Sequence, residues 1–192
     1  FWKPSEKTPL TSNLIAKVFH EAGLPAGLFN VLQGSAPLVE KICTHKNIRA
    51  ISFVGSSKVA KIVYDKASLS GKRVLALGGA KNHIFLLPDA PIDMCGIGIA
   101  DSFTGCAGQR CMAATVILAV GNVDAQIQKI IERAKSMTLG FDMGAIISKA
   151  QVDFLKAAID RAEAAGAKIL LDGRKTPAPK NYPNGYWIGP TI

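Results

Sequence analysis

Short apolar runs alternate along this chain with longer stretches whose apolar residues recur three and four positions apart, and each change of period falls on a small turn. Ile48-Arg49-Ala50-Ile51-Ser52-Phe53-Val54 reads as a strand, Gly55-Ser56-Ser57 as a turn into a helix carrying Val59, Ile62 and Val63, and Arg73-Val74-Leu75-Ala76-Leu77 as the next strand. Strands and helices joined by short turns predict a parallel sheet covered by helices.

The alternation continues on both sides. Lys3-Pro4-Ser5-Glu6 follows the apolar pair Phe1-Trp2 as the end of a strand would, and Pro4 and Pro9 are expected to keep this stretch out of a helix. Leu10, Leu14, Ile15, Val18, Phe19 and Ala22 predict an amphipathic helix stopped by Gly23-Leu24-Pro25. Leu28 to Leu32 reads as a strand, and Pro37 suits the first turn of a helix holding Leu38, Val39 and Ile42. After the turn Gly78-Gly79-Ala80-Lys81-Asn82, Ile84 to Leu87 is extended, a helical stripe of Ile92, Cys95, Ile99 and Phe103 ends at Gly105, and Ala114 to Val120 is a strand. Asp124 is expected to cap a helix with Ile127, Ile130, Ile131 and Ala134, and Asp89 and Asp93 read as helix-start residues. Ser148 and Gln151 form a capping box before Val152, Leu155 and Ile159, in a helix that Gly166 ends. Lys168 to Leu171 reads as a short strand and Asp172 to Gly185 as an exposed loop. Two lobes with a hinge near Gly78-Gly79 are expected: half of a nucleotide-binding sheet, then a separate α/β unit.

Composition excludes several classes. With 48% hydrophobic and 19% charged residues among 192, the chain can bury a core. No apolar run reaches the roughly 18 residues that span a bilayer, so no membrane association is expected. Four cysteines without paired C-x-x-C spacing argue against a disulfide framework or zinc site and point to a reducing compartment, the cytoplasm or a mitochondrial matrix. The net charge of +9 comes from lysines and arginines spread along the chain without a basic run, with only 7% aromatic residues. A solvated surface with some attraction for phosphate-bearing small molecules fits this better than nucleic-acid binding.

Gly105-Cys106-Ala107-Gly108-Gln109-Arg110-Cys111-Met112-Ala113 places a thiol directly after a cation, on a glycine-rich approach. Nearby positive charge and solvent access make a cysteine reactive, whereas a cysteine buried in apolar surroundings behaves as a small hydrophobe. Both readings of Cys111 stand on this motif alone. Cys106 reads as a packed neighbour in preference to a second thiol near the site. Gly55-Ser56-Ser57, between strand and helix, could meet a phosphate through free N–H groups, although it lacks G-x-G-x-x-G. Lys3 and Glu6 suit ribose hydroxyls, or equally an ordinary exposed ion pair. His20, His45 and His83 lie far apart with no acidic residue at ligand spacing, so no metal is expected. A cysteine hydrolase would need one of them beside Cys111.

Taken in order, Lys3-Pro4-Ser5-Glu6, Ile51-Ser52-Phe53-Val54-Gly55-Ser56, Leu77-Gly78-Gly79-Ala80-Lys81-Asn82 and Gly108-Gln109-Arg110-Cys111 resemble the ordered motifs of the aldehyde dehydrogenase superfamily. Gly79-Ala80-Lys81-Asn82-His83 and Ala107 to Ala113 are similar to its CoA-acylating methylmalonate-semialdehyde (malonate-semialdehyde) branch. The resemblance covers essentially the whole chain but only the middle of the family's.

It implies an α/β fold: part of a Rossmann-like parallel nucleotide-binding sheet in residues 1–78, followed by part of an α/β catalytic lobe in 79–192. Cys111 would attack the aldehyde carbon, and Arg110 would bind the carboxylate of a semialdehyde. Lys3, Glu6, Lys7, Ser56 and Gly78 would hold NAD, and coenzyme A would be the co-substrate. Hydrolytic members carry a glutamate just before Leu-Gly-Gly; here the residue is Ala76, which supplies no base for water. Ala60 stands where many relatives have glycine, and Gly78 where close relatives often have threonine. The family's oxyanion-hole asparagine and nicotinamide-ribose glutamate are expected outside Phe1–Ile192. The segment alone is therefore expected to have little or no activity, and the full protein to be a homo-oligomer, a dimer or tetramer. A hydrolytic aldehyde dehydrogenase with another base and a non-catalytic nucleotide-binding or assembly module are the alternatives.

Overall fold

The computed structural model describes residues 1–192, in two compact units, Phe1–Gly79 and Ala80–Ile192. The first unit runs α1 (Pro9–Glu21), α2 (Ala36–Thr44), β1 (Ala50–Val54), α3 (Ser57–Leu69) and β2 (Arg73–Leu77). β1 and β2 pair in parallel, from Ala50 opposite Arg73 to Val54 opposite Leu77. Alternation along the strands turns Ile51, Phe53 and Val74 onto the buried Cys43, Val63 and Ala67 of α2 and α3. Burial pushes the Cys43 thiol pKa up.

Two readings of this unit change. Pro9 does not exclude a helix; it opens α1 at a position where its missing N–H is not needed. Leu28 to Leu32 is not a strand. Only Val31 bridges to Trp2, through the Trp2 N–H to the Asn30 carbonyl (2.8 Å) and the Leu32 N–H to the Trp2 carbonyl (2.9 Å). The segment is fixed instead by aromatic packing, with Phe29 4.9 Å edge-on from Phe19 of α1 and 5.9 Å from Trp2.

The second unit runs β3 (Asn82–Leu86), α4 (Ile92–Thr104), a 3-10 turn (Gly105–Gly108), β4 (Ala114–Ala119), α5 (Asp124–Lys135) and α6 (Lys149–Ala164). β3 and β4 are parallel. One core gathers Leu86, Cys95, Ile99, Ala100, Val123 and Ile130, so that α4 and α5 pack together beside the sheet. Pairs of Lys129 with Asp93 (3.0 Å) and Arg133 with Asp101 (3.0 Å) edge that seam. A second core holds Ala107, Leu139, Met143, Ile146, Val152 and Ile188.

Local capping differs from expectation at α5. Asp124 is its first residue, and the Asn122 carboxamide oxygen accepts the Asp124 N–H (3.1 Å). At α6, Ser148 does cap, accepting from the Gln151 N–H (3.3 Å). Lys168 to Leu171 forms no strand; Leu170 and Leu171 bond only the terminal Ile192. Asp172 to Gly185 is not uniformly exposed. Arg174, in this stretch, meets Asp160 and Glu163 of α6 (2.7 Å each) and Asp172 (2.6 Å), tying the segment to the helix. No helix is long and apolar enough to cross a membrane.

Candidate functional site

In the first unit the C-terminal ends of the parallel strands come together. The Gly55 N–H donates to the Leu77 carbonyl (3.1 Å), placing Ser56 and Gly78 at one end of the sheet, where ligands of open α/β sheets bind. Ser56 caps α3, its hydroxyl accepting from the Val59 N–H (3.4 Å), and the Ser57 hydroxyl accepts from the Gly79 N–H (3.0 Å). A Cβ on Gly78 would stand 2.7 Å from Ser57 Oγ and 3.0 Å from its Cα, so α3 approaches β2 closely here and any side chain at this position has to displace Ser57. Ser57, Ala60, Lys61, Ala76 and Gly78 line a cleft of about 410 Å³.

Lys3 and Glu6 pair at 3.3 Å, with the lysine side chain largely covered and the carboxylate half exposed. The backbone N–H of Glu6 and the Lys3 ammonium hold the carboxyl below its ordinary range. Lys7 is exposed beside them.

In the second unit the cysteine loop begins where Gly105 ends α4. Cys106 (φ 48°) and Ala107 (φ 55°) are left-handed, followed by Gly108 (φ 73°), and this reverses the chain within one turn. The Ala107 methyl is buried in the second core. Cys106 is therefore turned outward and is exposed, not packed as its sequence context suggested; Arg110 Nε donates to its sulfur at 3.4 Å. Arg110 pairs with no carboxylate of the chain. Cys111 is exposed, and no backbone carbonyl accepts its N–H. His83 is exposed and its Nδ1 engages the Lys81 carbonyl (2.9 Å), not a cysteine.

Two carboxamides that sequence reasoning passed over hold this loop. Gln109 Nε2 donates to the carbonyls of Cys106 (2.9 Å) and Ala145 (3.1 Å), and its Oε1 accepts from the Ile147 N–H (2.9 Å). Asn82 Nδ2 donates to the carbonyls of Cys111 (2.8 Å) and Ala113 (3.0 Å). One signal was available: asparagine is disfavoured in strands, yet Asn82 opens an apolar one.

The aldehyde dehydrogenase family matches residues 1–192. The chain belongs to this family. It is 41% identical to malonate-semialdehyde dehydrogenase 2 of Geobacillus thermodenitrificans, over 99% of this chain and 40% of that protein. Among solved structures of the family, methylmalonate-semialdehyde dehydrogenase of Oceanimonas doudoroffii superposes with a TM-score of 0.91 at 38% identity, over 98% of this chain and 40% of that one. A Sinorhizobium meliloti chain assigned to the same activity and solved with NAD gives 0.90 at 38% identity, with the same coverage. The chain thus spans 40% of the length of these family members.

Proposed function

We propose that this chain is the part of an NAD-dependent, CoA-acylating dehydrogenase of malonate or methylmalonate semialdehyde that carries the nucleophile. The observation that carries the reading is the exposed Cys111 with its unclaimed N–H, next to an Arg110 guanidinium that touches the Cys106 sulfur but meets no carboxylate. Cys111 Sγ attacks the aldehyde carbon, and the backbone N–H of Cys111 stabilises the oxyanion. Arg110 holds the substrate carboxylate, a role its planar fork suits.

The fit to NAD rests on the ends of β1 and β2, the start of α3 and the adjoining cleft. Ser56 and Gly78 would approach the cofactor there, with Lys3, Glu6 and Lys7 at the adenosine ribose. When bound, NAD accepts the two electrons that turn the thiohemiacetal on Cys111 into a thioester. Ala76 lines the cleft with a methyl group and provides no base to activate water. The thioester therefore passes to the thiol of coenzyme A, and loss of the substrate carboxylate as carbon dioxide or bicarbonate gives acetyl-CoA or propionyl-CoA.

The test is NADH formation by the full-length protein from the semialdehyde, with and without coenzyme A. Turnover that requires coenzyme A and disappears in Cys111→Ser supports the reading; full-rate turnover without coenzyme A overturns acyl transfer. The 192-residue chain by itself is expected to form no NADH, and rapid formation would contradict that.

A further inference from the structure

We propose that Asn82 is a positioning residue for Cys111, acting through the loop backbone without touching substrate. The inference rests on the reading of Cys111 as nucleophile. Cys111 and Met112 are exposed, Met112 at 82%, so packing does not hold this stretch. Hydrogen bonds do. The Ala113 N–H donates to the Arg110 carbonyl (3.2 Å), closing a turn and fixing the peptide plane before Cys111. In a trans peptide the N–H points opposite to the carbonyl, so the Cys111 N–H is aimed away from that closure. The plane after Cys111 is fixed by Asn82, through its bond to the Cys111 carbonyl.

With both flanking planes held, φ and ψ of Cys111 are set, and with them the direction of its Cα–Cβ bond. Asn82 uses both N–H groups of its carboxamide for this, the second on the Ala113 carbonyl. It can do so because the ladder is irregular at its own position. Asn82 pairs with Ala114 but His83 with Val116, so β4 carries an extra residue opposite that step. Such bulges re-aim side chains and interrupt ladder bonds.

The experiment compares Asn82→Ala, which removes both donors, and Asn82→Ser, which keeps one shorter donor, in the full-length protein, with Cys111→Ser as reference. Asn82→Ala is expected to lower kcat about 10²-fold, the loss typical of a misplaced reacting group, with KM for the semialdehyde unchanged. Alkylation of Cys111 by iodoacetamide should keep its parental rate, because the thiol stays exposed, and Asn82→Ser should fall between Asn82→Ala and the parent. Parental kcat in both variants, a change confined to KM, or parallel loss of turnover, alkylation and melting temperature would overturn the positioning role. Full activity in Cys111→Ser would instead remove the nucleophile reading, a separable failure.

Discussion

Gly78→Ala tests the close approach of α3 to β2 with one methyl group. The added Cβ would sit 2.7 Å from Ser57 Oγ, 3.0 Å from Ser57 Cα and 3.2 Å from Ser57 Cβ. Rotating the hydroxyl away relieves only the first of these, and it breaks the bond from the Gly79 N–H (3.0 Å). The clash with the Ser57 backbone yields only if the start of α3 or the end of β2 shifts. Overpacking of this kind costs about 1–3 kcal/mol and the lost hydrogen bond about 1 kcal/mol, for a total of about 2–4 kcal/mol. Urea unfolding of Gly78→Ala, Ser57→Gly and the double variant measures it. Removing the Ser57 side chain leaves only the backbone clash, so the double variant should be more stable than additivity predicts, by about 1–2 kcal/mol. Gly78→Thr, with two more heavy atoms, should be worse than alanine. A loss below about 0.5 kcal/mol for Gly78→Ala, or strict additivity with Ser57→Gly, would refute the steric explanation.

Gln109→Ala should strip hydrogen-exchange protection from the Ile147 amide, and Gln109→Glu should not restore it, because a carboxylate oxygen in place of Nε2 would face the Cys106 and Ala145 carbonyl oxygens; both are readable by NMR or mass spectrometry. Ile130→Ala removes a side chain that is 1% exposed and should cost about 2–5 kcal/mol in denaturant unfolding. Asp172, held near a pKa of about 2 by the Arg174 guanidinium and backbone, contributes stability that is full above its unfolded value near 4 and is lost as pH falls through about 2. Unfolding midpoints measured from pH 5 down to 2 should therefore drop more steeply in the parent than in Asp172→Asn.

The helices and the two pairs of parallel strands were legible because each is encoded locally, by apolar period and by punctuation at residues such as Ser56, Gly105 and Ser148. What failed is what depends on distant partners. Leu28 to Leu32 and Lys168 to Leu171 have the composition of strands, but each finds at most a bridge or a few terminal bonds. No local pattern reports the presence of a neighbouring edge. Asn82 and Gln109 escaped for the same reason, since their bonds span 29 to 38 residues. Cys106 was misjudged because cysteine is usually buried, and its left-handed backbone is set by the turn and not by its residue type.

That turn explains how the exposed Cys111 is held on a defined course. A left-handed conformation costs a residue other than glycine about 1–2 kcal/mol, and two stand side by side at Cys106 and Ala107. A glycine at 107 would avoid the strain there but would have no side chain to anchor. The alanine methyl is buried with Leu139, Met143, Ile146, Val152 and Ile188, and Gln109 fastens the same turn to Ala145 and Ile147. Burial and hydrogen bonding below the loop thus offset the strain within it. The chain reverses where it leaves α4, and Arg110 and Cys111 emerge on the side away from the core. The buried Ala107 thus anchors the turn from the core side, three and four residues before the exposed Arg110 and Cys111.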